Sequence, residues 1–335
     1  MIRSAIARAV AQEPIPRELA ETVMEQILAG EATPAQIGAF AVAMRMKGET
    51  PDEIAGMASA MRRRVPPIRT RRSPLIDTCG TGGDNAGTFN ISTTVALVTA
   101  ACGVAVAKHG NRAVSSRTGS ADVLESLGVR IDLTPESAAR SLDLHGITFL
   151  FAPNYHASLR HAAGPRREIG VRTVFNVLGP LTNPAGATRQ LLGVFSDTLV
   201  RPVAEVLRML GSERAWVVHG RDGLDELTVF DRTHVAELAG GEIREFELDP
   251  AALGLNDTDR AGVAGGDAAE NAARVRSVLG GAKGAARNIV ALNTAAALWV
   301  SGTCESLEAG ITRAHDALDS GAAARKLGEL AAFRE

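Results

Sequence analysis

The chemistry-bearing residues concentrate first between Asp77 and Ser92, where Gly80, Gly82, Gly83 and Gly87 fall within eight residues. Glycine reaches positive φ and lets a ligand approach bare backbone N–H groups. The apolar pair Leu75-Ile76 precedes the segment and a helix-like run from Ser92 to Cys102 follows it. A glycine loop at a helix N-terminus presents unpaired N–H groups and the positive end of the helix dipole, and together these bind anions. Asn90, Ser92, Thr93 and Thr94 add side-chain donors in the first turn. Asp84 repels a phosphate unless a cation stands between them, so the segment reads as a phosphate loop that also takes Mg²⁺. Glycine content alone also suits an ordinary strand-to-helix turn. Neither familiar nucleotide pattern is present: there is no Gly-Lys-Ser/Thr, and Asn85 stands where the third glycine of G-x-G-x-x-G belongs.

A second polar loop favours the functional reading. From Lys108 to Ser120, thirteen positions hold Lys108, Arg112 and Arg117 with His109, Asn111 and the hydroxyls of Ser115, Ser116, Thr118 and Ser120. Lysine meets phosphate as a point charge and arginine as a planar fork. Asp225-Glu226 is an adjacent carboxylate pair whose members point different ways, suited either to two Mg²⁺ ions or to a charged turn. Arg166 or Arg167 offers a bidentate grip on a carboxylate, with a surface charge pair as the alternative. No Ser-His-Asp arrangement, zinc spacing or covalent nucleophile stands out. Positioning and electrostatics are then the expected means of catalysis.

These loops need a scaffold. Residues 1 to about 65 read as a small bundle of three helices, with proline starts at Pro16, Pro34 and Pro51 and Met and Phe stripes facing a core. Arg62, Arg63, Arg64, Arg69, Arg71 and Arg72 surround Pro66-Pro67, which reads as a solvated hinge over residues 62–72. From Leu75 onward short strands alternate with helices, the mark of a mostly parallel sheet. Strands are expected at 75–78, 104–107, near 129–132, 147–151, 190–195 and 215–218, then short strands within 227–248. Helices are expected at 92–102, 120–127, 135–145 and 199–210, then at 268–280, 285–300 and lastly 305–320. The segment from Pro153 to Pro184 breaks the alternation, and part of it is expected to return to the bundle. The fold class is α/β: a helical domain of 1–65 with part of 155–190, and a larger domain of 73–154 and 190–335. In such sheets ligands sit beyond the carboxyl ends of the strands, where both polar loops emerge.

Composition narrows the class. The 335 residues carry a net charge of −2, so no global field favours nucleic acid or a membrane as main partner. Three widely spaced cysteines, Cys79, Cys102 and Cys304, make neither a metal pattern nor a disulfide framework and suit a reducing cytoplasm. Arg3 and Arg8 interrupt any signal-peptide core, and the run from Val95 to Ala107 is too short to span a bilayer.

Six motifs in order resemble the anthranilate phosphoribosyltransferase family of tryptophan biosynthesis. They are Gly80 to Asp84, Asn90 to Thr93, Lys108 to Arg112, Gly119 to Glu125, Gly179 to Pro184 and Gly223 to Glu226. The resemblance runs nearly end to end, from Gly30 to Thr33 and on to Asn288 and Asn293. It implies transfer of phosphoribosyl from 5-phosphoribosyl 1-pyrophosphate (PRPP) to the amine of anthranilate, with release of pyrophosphate. It implies two Mg²⁺ ions per monomer, held by Ser92, Asp225 and Glu226. It implies PRPP contacts from Gly80, Gly83, Asp84, Thr88, Asn90, Ile91, Ser92 and Thr93, and from Lys108, His109, Gly110, Asn111, Arg112, Ala113, Val114, Ser115, Ser116 and Ser120. Gly80, Asn111 and Arg166 would meet anthranilate, with Arg166 rather than Arg167 at the matching position. Tyr155 and His156 would line an aromatic entry channel, although Ala157 departs from the proline common in the family. His109 is the one candidate for proton transfer, and a buried histidine bonded to backbone is its alternative. The family expectation is a cytoplasmic homodimer built through the helical domain. Two other readings are a pyrimidine-nucleoside phosphorylase-like enzyme and a non-catalytic nucleic-acid-binding relative resting on the arginine cluster.

Overall fold

The computed structural model describes residues 1–113 and 117–334. The first 65 residues form four helices, Ile2–Val10, Arg17–Ala29, Pro34–Lys47 and Pro51–Arg63, one more than the sequence reading expects. Ile2–Val10 has no side-chain cap and buries only Ile2, Ala5 and Ala9, too narrow a stripe to stand out in the sequence. The later starts are well marked. Thr33 and Thr50 each accept from the backbone N–H three residues on, and Gln36 and Glu53 return the bond to the cap N–H.

Seven strands make one sheet: β1 (Ile76–Gly80), β2 (Val106–Gly110), β3 (Ile147–Phe151), β4 (Arg189–Gly193), β5 (Arg214–Gly220), β6 (Thr233–Ala239) and β7 (Glu242–Leu248). Their order is β3-β2-β1-β4-β5-β6-β7; the first five run parallel and the last two antiparallel. The chain steps outward from β1 through β2 to β3, then crosses to the other side of β1 for β4. The order therefore reverses between β1 and β4, the point where open α/β sheets form their ligand crevice. Alternate residues face opposite layers. Leu191, Trp216 and Val218 join the core under the Ile91–Ala101 and Ala285–Val300 helices. Leu192, Ala215 and Val217 join a second core shared with the Val200–Met209 helix and the N-terminal bundle.

The expected strand near 129–132 is absent. Val129, Ile131 and Leu133 are buried alternately, as in a strand, but no neighbouring strand pairs with them. The short strands of 227–248 are two seven-residue strands, β6 and β7, turning at Gly240-Gly241. A further helix, Ala322–Ala332, follows the expected last one, which spans Leu307–Asp319. The Arg160–Ile169 helix packs on Pro34–Lys47, and Ala162, Val174, Phe175 and Leu178 enter the bundle core.

In the arginine cluster Arg63, Arg64, Arg69, Arg71 and Arg72 are exposed, while Arg62 is drawn in by backbone carbonyls. Arg62 donates from Nε to the Leu181 carbonyl at 2.7 Å and from Nη1 to the Leu210 carbonyl at 3.0 Å. Arg63 and Arg64 pair with Glu25, and Arg71 and Arg72 hold Asp143. These contacts take up much of the free charge that a polyanion surface would need. Among the described residues no helix is long and apolar enough to cross a membrane.

Candidate active site

β1, β2, β4 and β5 all deliver their C-terminal ends to the reversal point. Beyond β1, Gly82 and Gly83 take φ of 65° and 84°, which turns the loop back over the sheet. The Thr81 N–H donates to the Gly193 carbonyl at 2.9 Å, and the Phe195 N–H to Thr81 Oγ1 at 3.1 Å, so the loop is pinned to the end of β4. The loop after β5 reaches the same place. Asp225 Oδ2 accepts from the Gly82 N–H at 2.8 Å, and Glu226 Oε1 accepts from the Ser92 N–H at 3.1 Å. The anion-seeking N–H groups of the glycine loop and of the helix start therefore hold the protein's own carboxylates. Neighbouring glycines make room. A Cβ on Gly193 would lie 1.5 Å from the Asp225 carbonyl oxygen, and one on Gly80 2.5 Å from Asp225 Oδ2.

Charge is crowded here. Enclosure by protein pushes the Asp225 carboxyl up to about 7, with the Asp84 carboxylate adding to the effect. Enclosure, then Asp225, pushes Glu226 well above the usual carboxylate range. Lys108 is the counter-charge. It is buried, and its ammonium donates to the Thr78 carbonyl and lies 3.3 Å from Ser92 Oγ. Burial lowers its pKa, while Asp77, Cys79, Glu226 and Asp225 oppose the drop. Such a site has excess negative charge and offers oxygen donors from Asp225, Glu226 and Ser92. That donor set suits Mg²⁺, which takes one or two carboxylates and completes its shell with water and phosphate oxygens. Among the described residues no group of three or more His, Cys, Asp or Glu side chains is placed to hold a metal, so nothing here favours zinc-type ligation.

The other residues of the glycine loop divide by task. Asp84 Oδ2 lies 3.5 Å from the Asp225 N–H, at the edge of the carboxylate cluster. Thr88 bridges to Ala264, and Asn90 donates to the Thr118 carbonyl and accepts from Asn271. The Ile91 side chain is in the core, and the Thr93 hydroxyl is buried without a partner.

The second loop is partly at the site. Val114, Ser115 and Ser116 lie outside the described residues. Gly110 leaves room for Ser120 and Phe149, since a Cβ there would lie 2.2 Å from Ser120 Oγ. Ser120 Oγ donates to the Asn111 carbonyl at 3.2 Å, while the Asn111 side chain is exposed. The Arg112 guanidinium pairs with Asp122 at 2.8 Å and Glu125 at 2.6 Å, at the rim of the same loop. The Ala113 N–H also serves Asp122. His109 is buried, and burial with the nearby His156 pulls its pKa down to about 3. Its ring centroid lies 5.2 Å from that of His156, and the Gly179 backbone offers the ring a hydrogen-bond partner.

Arg166 and Arg167 differ in exposure. Arg166 is half-buried with its Cζ 5.5 Å from the Phe175 ring centroid, and Arg167 is exposed. Tyr155 does not line a channel: it is buried and its hydroxyl donates to the Leu133 carbonyl, which makes it a core residue. His156 Nε2 lies 3.0 Å from the Thr182 carbonyl.

Sequence reasoning missed three contributors. Asp77, fully buried, accepts from the His109 N–H at 3.1 Å and from Asn183 Nδ2 at 2.7 Å, which ties β1 to β2 and to the Gly179–Pro184 segment. Gly193 admits Asp225, and Arg172 touches the glycine loop at Gly83. The one available signal was the place of Asp77 at the head of the glycine-rich segment.

The chain was compared with known proteins. The α/β-domain model of the glycosyl transferase family matches residues 72–324, and the helical-bundle-domain model matches residues 3–65. An anthranilate phosphoribosyltransferase of Moorella thermoacetica is 52% identical, over 100% of this chain and 99% of the relative. The structure of anthranilate phosphoribosyltransferase from Thermus thermophilus matches with a TM-score of 0.92 at 46% identity, covering 98% of each chain. The Saccharomyces cerevisiae enzyme in complex with PRPP and Mg matches with a TM-score of 0.89 at 26% identity, covering 98% of this chain and 96% of that one.

Proposed function

This chain belongs to the anthranilate phosphoribosyltransferases of the glycosyl transferase family, and from that membership we infer its reaction. It transfers the 5-phosphoribosyl group of PRPP to the amine of anthranilate and releases pyrophosphate. The observation that carries this reading is the meeting of Asp225 and Glu226 with the N–H groups of Gly82 and Ser92 at the reversal point of the sheet.

The chemistry follows from the groups present. Anthranilate's aromatic amine is neutral near pH 7 and attacks without prior deprotonation. The N–C1 bond forms as the C1–O bond to pyrophosphate breaks, through an oxocarbenium-like transition state, and the proton then shed by the acidic ammonium of the adduct passes to solvent or to the released pyrophosphate. The glycine loop, with Gly80, Gly83, Asp84, Thr88 and Asn90 to Thr93, holds the pyrophosphate end and stabilises its growing charge. Lys108 sets the charge balance beneath that end, and Asn111 and Ser120 stand toward the ribose and acceptor. Arg166 takes the anthranilate carboxylate. Mg²⁺, two ions in this reading, supplies positive charge to the leaving pyrophosphate when held by Ser92, Asp225 and Glu226. The Mg-containing complex of the yeast relative supports the choice of metal. His109, neutral and buried, orients rather than transfers a proton.

The reading extends to a helical domain of 1–65 with part of 155–190, joined through 62–72 to the α/β domain, and to a homodimer through the helical domain. Val10 and Met46 stand exposed on two packed helices of the bundle, which supports such a contact. Three unpaired cysteines suit the cytoplasm. The experiment is loss of anthranilate fluorescence with PRPP and Mg²⁺, repeated with EDTA. Enzyme-dependent loss that EDTA abolishes supports substrate, reaction and metal together; no loss from folded protein refutes the assignment.

A further inference from the structure

Arg172 is a cation to which the reaction, as read above, gives no task. It lies between the Arg160–Ile169 helix and the Phe175–Leu178 turn, in the segment packed against the bundle. Its guanidinium reaches the glycine loop. A Cβ built on Gly83 would stand 3.1 Å from Arg172 Nε, 3.3 Å from Cζ and 3.5 Å from Nη2. On its other side the Cζ lies 4.8 Å from the Phe195 ring centroid. Phe195 is itself bonded through its N–H to Thr81 of the loop. Arginine, ring and loop thus form one connected unit.

The guanidinium is half-buried, and among the described residues no carboxylate stands within 4.0 Å of it. Other arginines are paired elsewhere: Arg112 with Asp122 and Glu125, Arg62 with two carbonyls. A guanidinium stacked on a ring keeps its in-plane N–H groups free, and their fork matches two phosphate oxygens. The same loop carries Asp84 and bonds Asp225, and the helix start that follows it bonds Glu226, three carboxyls that alone would repel pyrophosphate.

We propose that Arg172 is a pyrophosphate-binding residue: its fork takes phosphate oxygens on the Gly82–Gly83 side of the glycine loop, with Phe195 fixing the plane of the fork. This rests on the reading of that loop as the pyrophosphate cradle. The competing task is to serve Glu49, whose Oε1 is buried without a partner among the described residues and which lines a cleft with Arg172 and Phe195.

The test uses full-length wild type, Arg172→Gln, Arg172→Lys and Glu49→Gln. Initial rates give KM for each substrate, and calorimetry with inorganic pyrophosphate and Mg²⁺ gives a binding constant independent of turnover. Charge-assisted hydrogen bonds imply that Arg172→Gln weakens both PRPP KM and pyrophosphate binding about 10- to 100-fold, with far less change in anthranilate KM. Arg172→Lys should fall between, since it keeps the charge and loses the fork. Unchanged PRPP KM and pyrophosphate affinity in Arg172→Gln overturn the proposal, and so does Glu49→Gln reproducing its defects. Should Arg172→Gln not fold, Arg172→Lys decides on the same two constants. A wild type that binds pyrophosphate but does not consume anthranilate refutes the acceptor assignment and leaves Arg172 standing on the binding data.

Discussion

The Gly82 N–H donates to Asp225 Oδ2 at 2.8 Å across 143 residues of sequence. A donor expected for a phosphate is thus held by a carboxylate expected for a metal. Metal and pyrophosphate would exchange that internal bond for two stronger ones, with the carboxylate turning to the cation and the N–H to the phosphate. The two ligands should therefore bind cooperatively, because each removes what the other must displace.

Replacing Asp225 by Asn together with Glu226 by Gln tests this directly. The shape is kept and two enclosed charges are removed. Burial raises the pKa of both carboxyls, so their ionisation opposes folding, and the double variant should melt at or above the wild-type temperature at pH 8. Turnover should fall by about 10²-fold or more, the scale of losing a preorganised electrostatic group. Retention of the wild-type Mg²⁺ dependence would remove the metal assignment.

Gly193→Ala probes the close approach that admits Asp225. The added Cβ would sit 1.5 Å from the Asp225 carbonyl oxygen, a contact that no rotamer change relieves because both partners are backbone. A loss of about 1–3 kcal/mol in urea unfolding is expected for such overpacking, with PRPP KM raised. Wild-type stability and kinetics in this variant would show that the 225–226 loop does not pack as described.

Much of this arrangement was legible in sequence, and the remainder was not for identifiable reasons. Thr33 and Thr50 announce their helices because capping is local. The glycine loop and the Lys108 loop were placed at the sheet edge because alternation alone sets strand direction. Val129, Ile131 and Leu133 misled because burial on alternate residues needs a core and not a strand partner. The pairing of Arg112 with Asp122 and Glu125, ten and thirteen residues on, was not legible because it depends on how the loop folds back on its helix. Gly193 and Arg172 carry no local signal: their tasks exist only once strands distant in sequence are neighbours.

His109 gives a pH signature. Burial lowers its pKa to about 3, against an ordinary value near 6.5. As pH falls, the unfolded chain takes up the proton first, so stability present above pH 6.5 is lost toward pH 3. At pH 5 the loss from this group is about 2 kcal/mol. His109→Gln should shrink the stability difference between pH 7 and pH 5 by about that amount, read from urea unfolding. In the wild type, no limb of the kcat profile between pH 5 and 9 should vanish in this variant. A vanished limb would restore proton transfer to His109.

Met46 is an exposed apolar residue of the bundle proposed for dimer contact. Met46→Glu places a charge there without touching the core, since Met46 is 76% exposed. Sedimentation should show a dimer for wild type and a shift toward monomer for the variant. A monomeric wild type at micromolar concentration would end the proposal.

Arg166 and Arg167 make a matched pair for substrate assignment. They are adjacent, but only Arg166 turns inward over Phe175, and burial lowers its pKa, as expected of a cation short of solvent. A carboxylate arriving there would recover the lost solvation through a bidentate contact. Arg166→Ala should therefore raise the anthranilate KM by about 10- to 100-fold, the worth of one charge-assisted pair, and leave the PRPP KM close to wild type. Arg167→Ala, on the exposed side, should change neither. Aniline, which lacks the carboxylate, should be a poor acceptor for wild type and no poorer for Arg166→Ala. A defect confined to PRPP in Arg166→Ala would reassign this arginine to the phosphate side and leave the acceptor carboxylate without its partner.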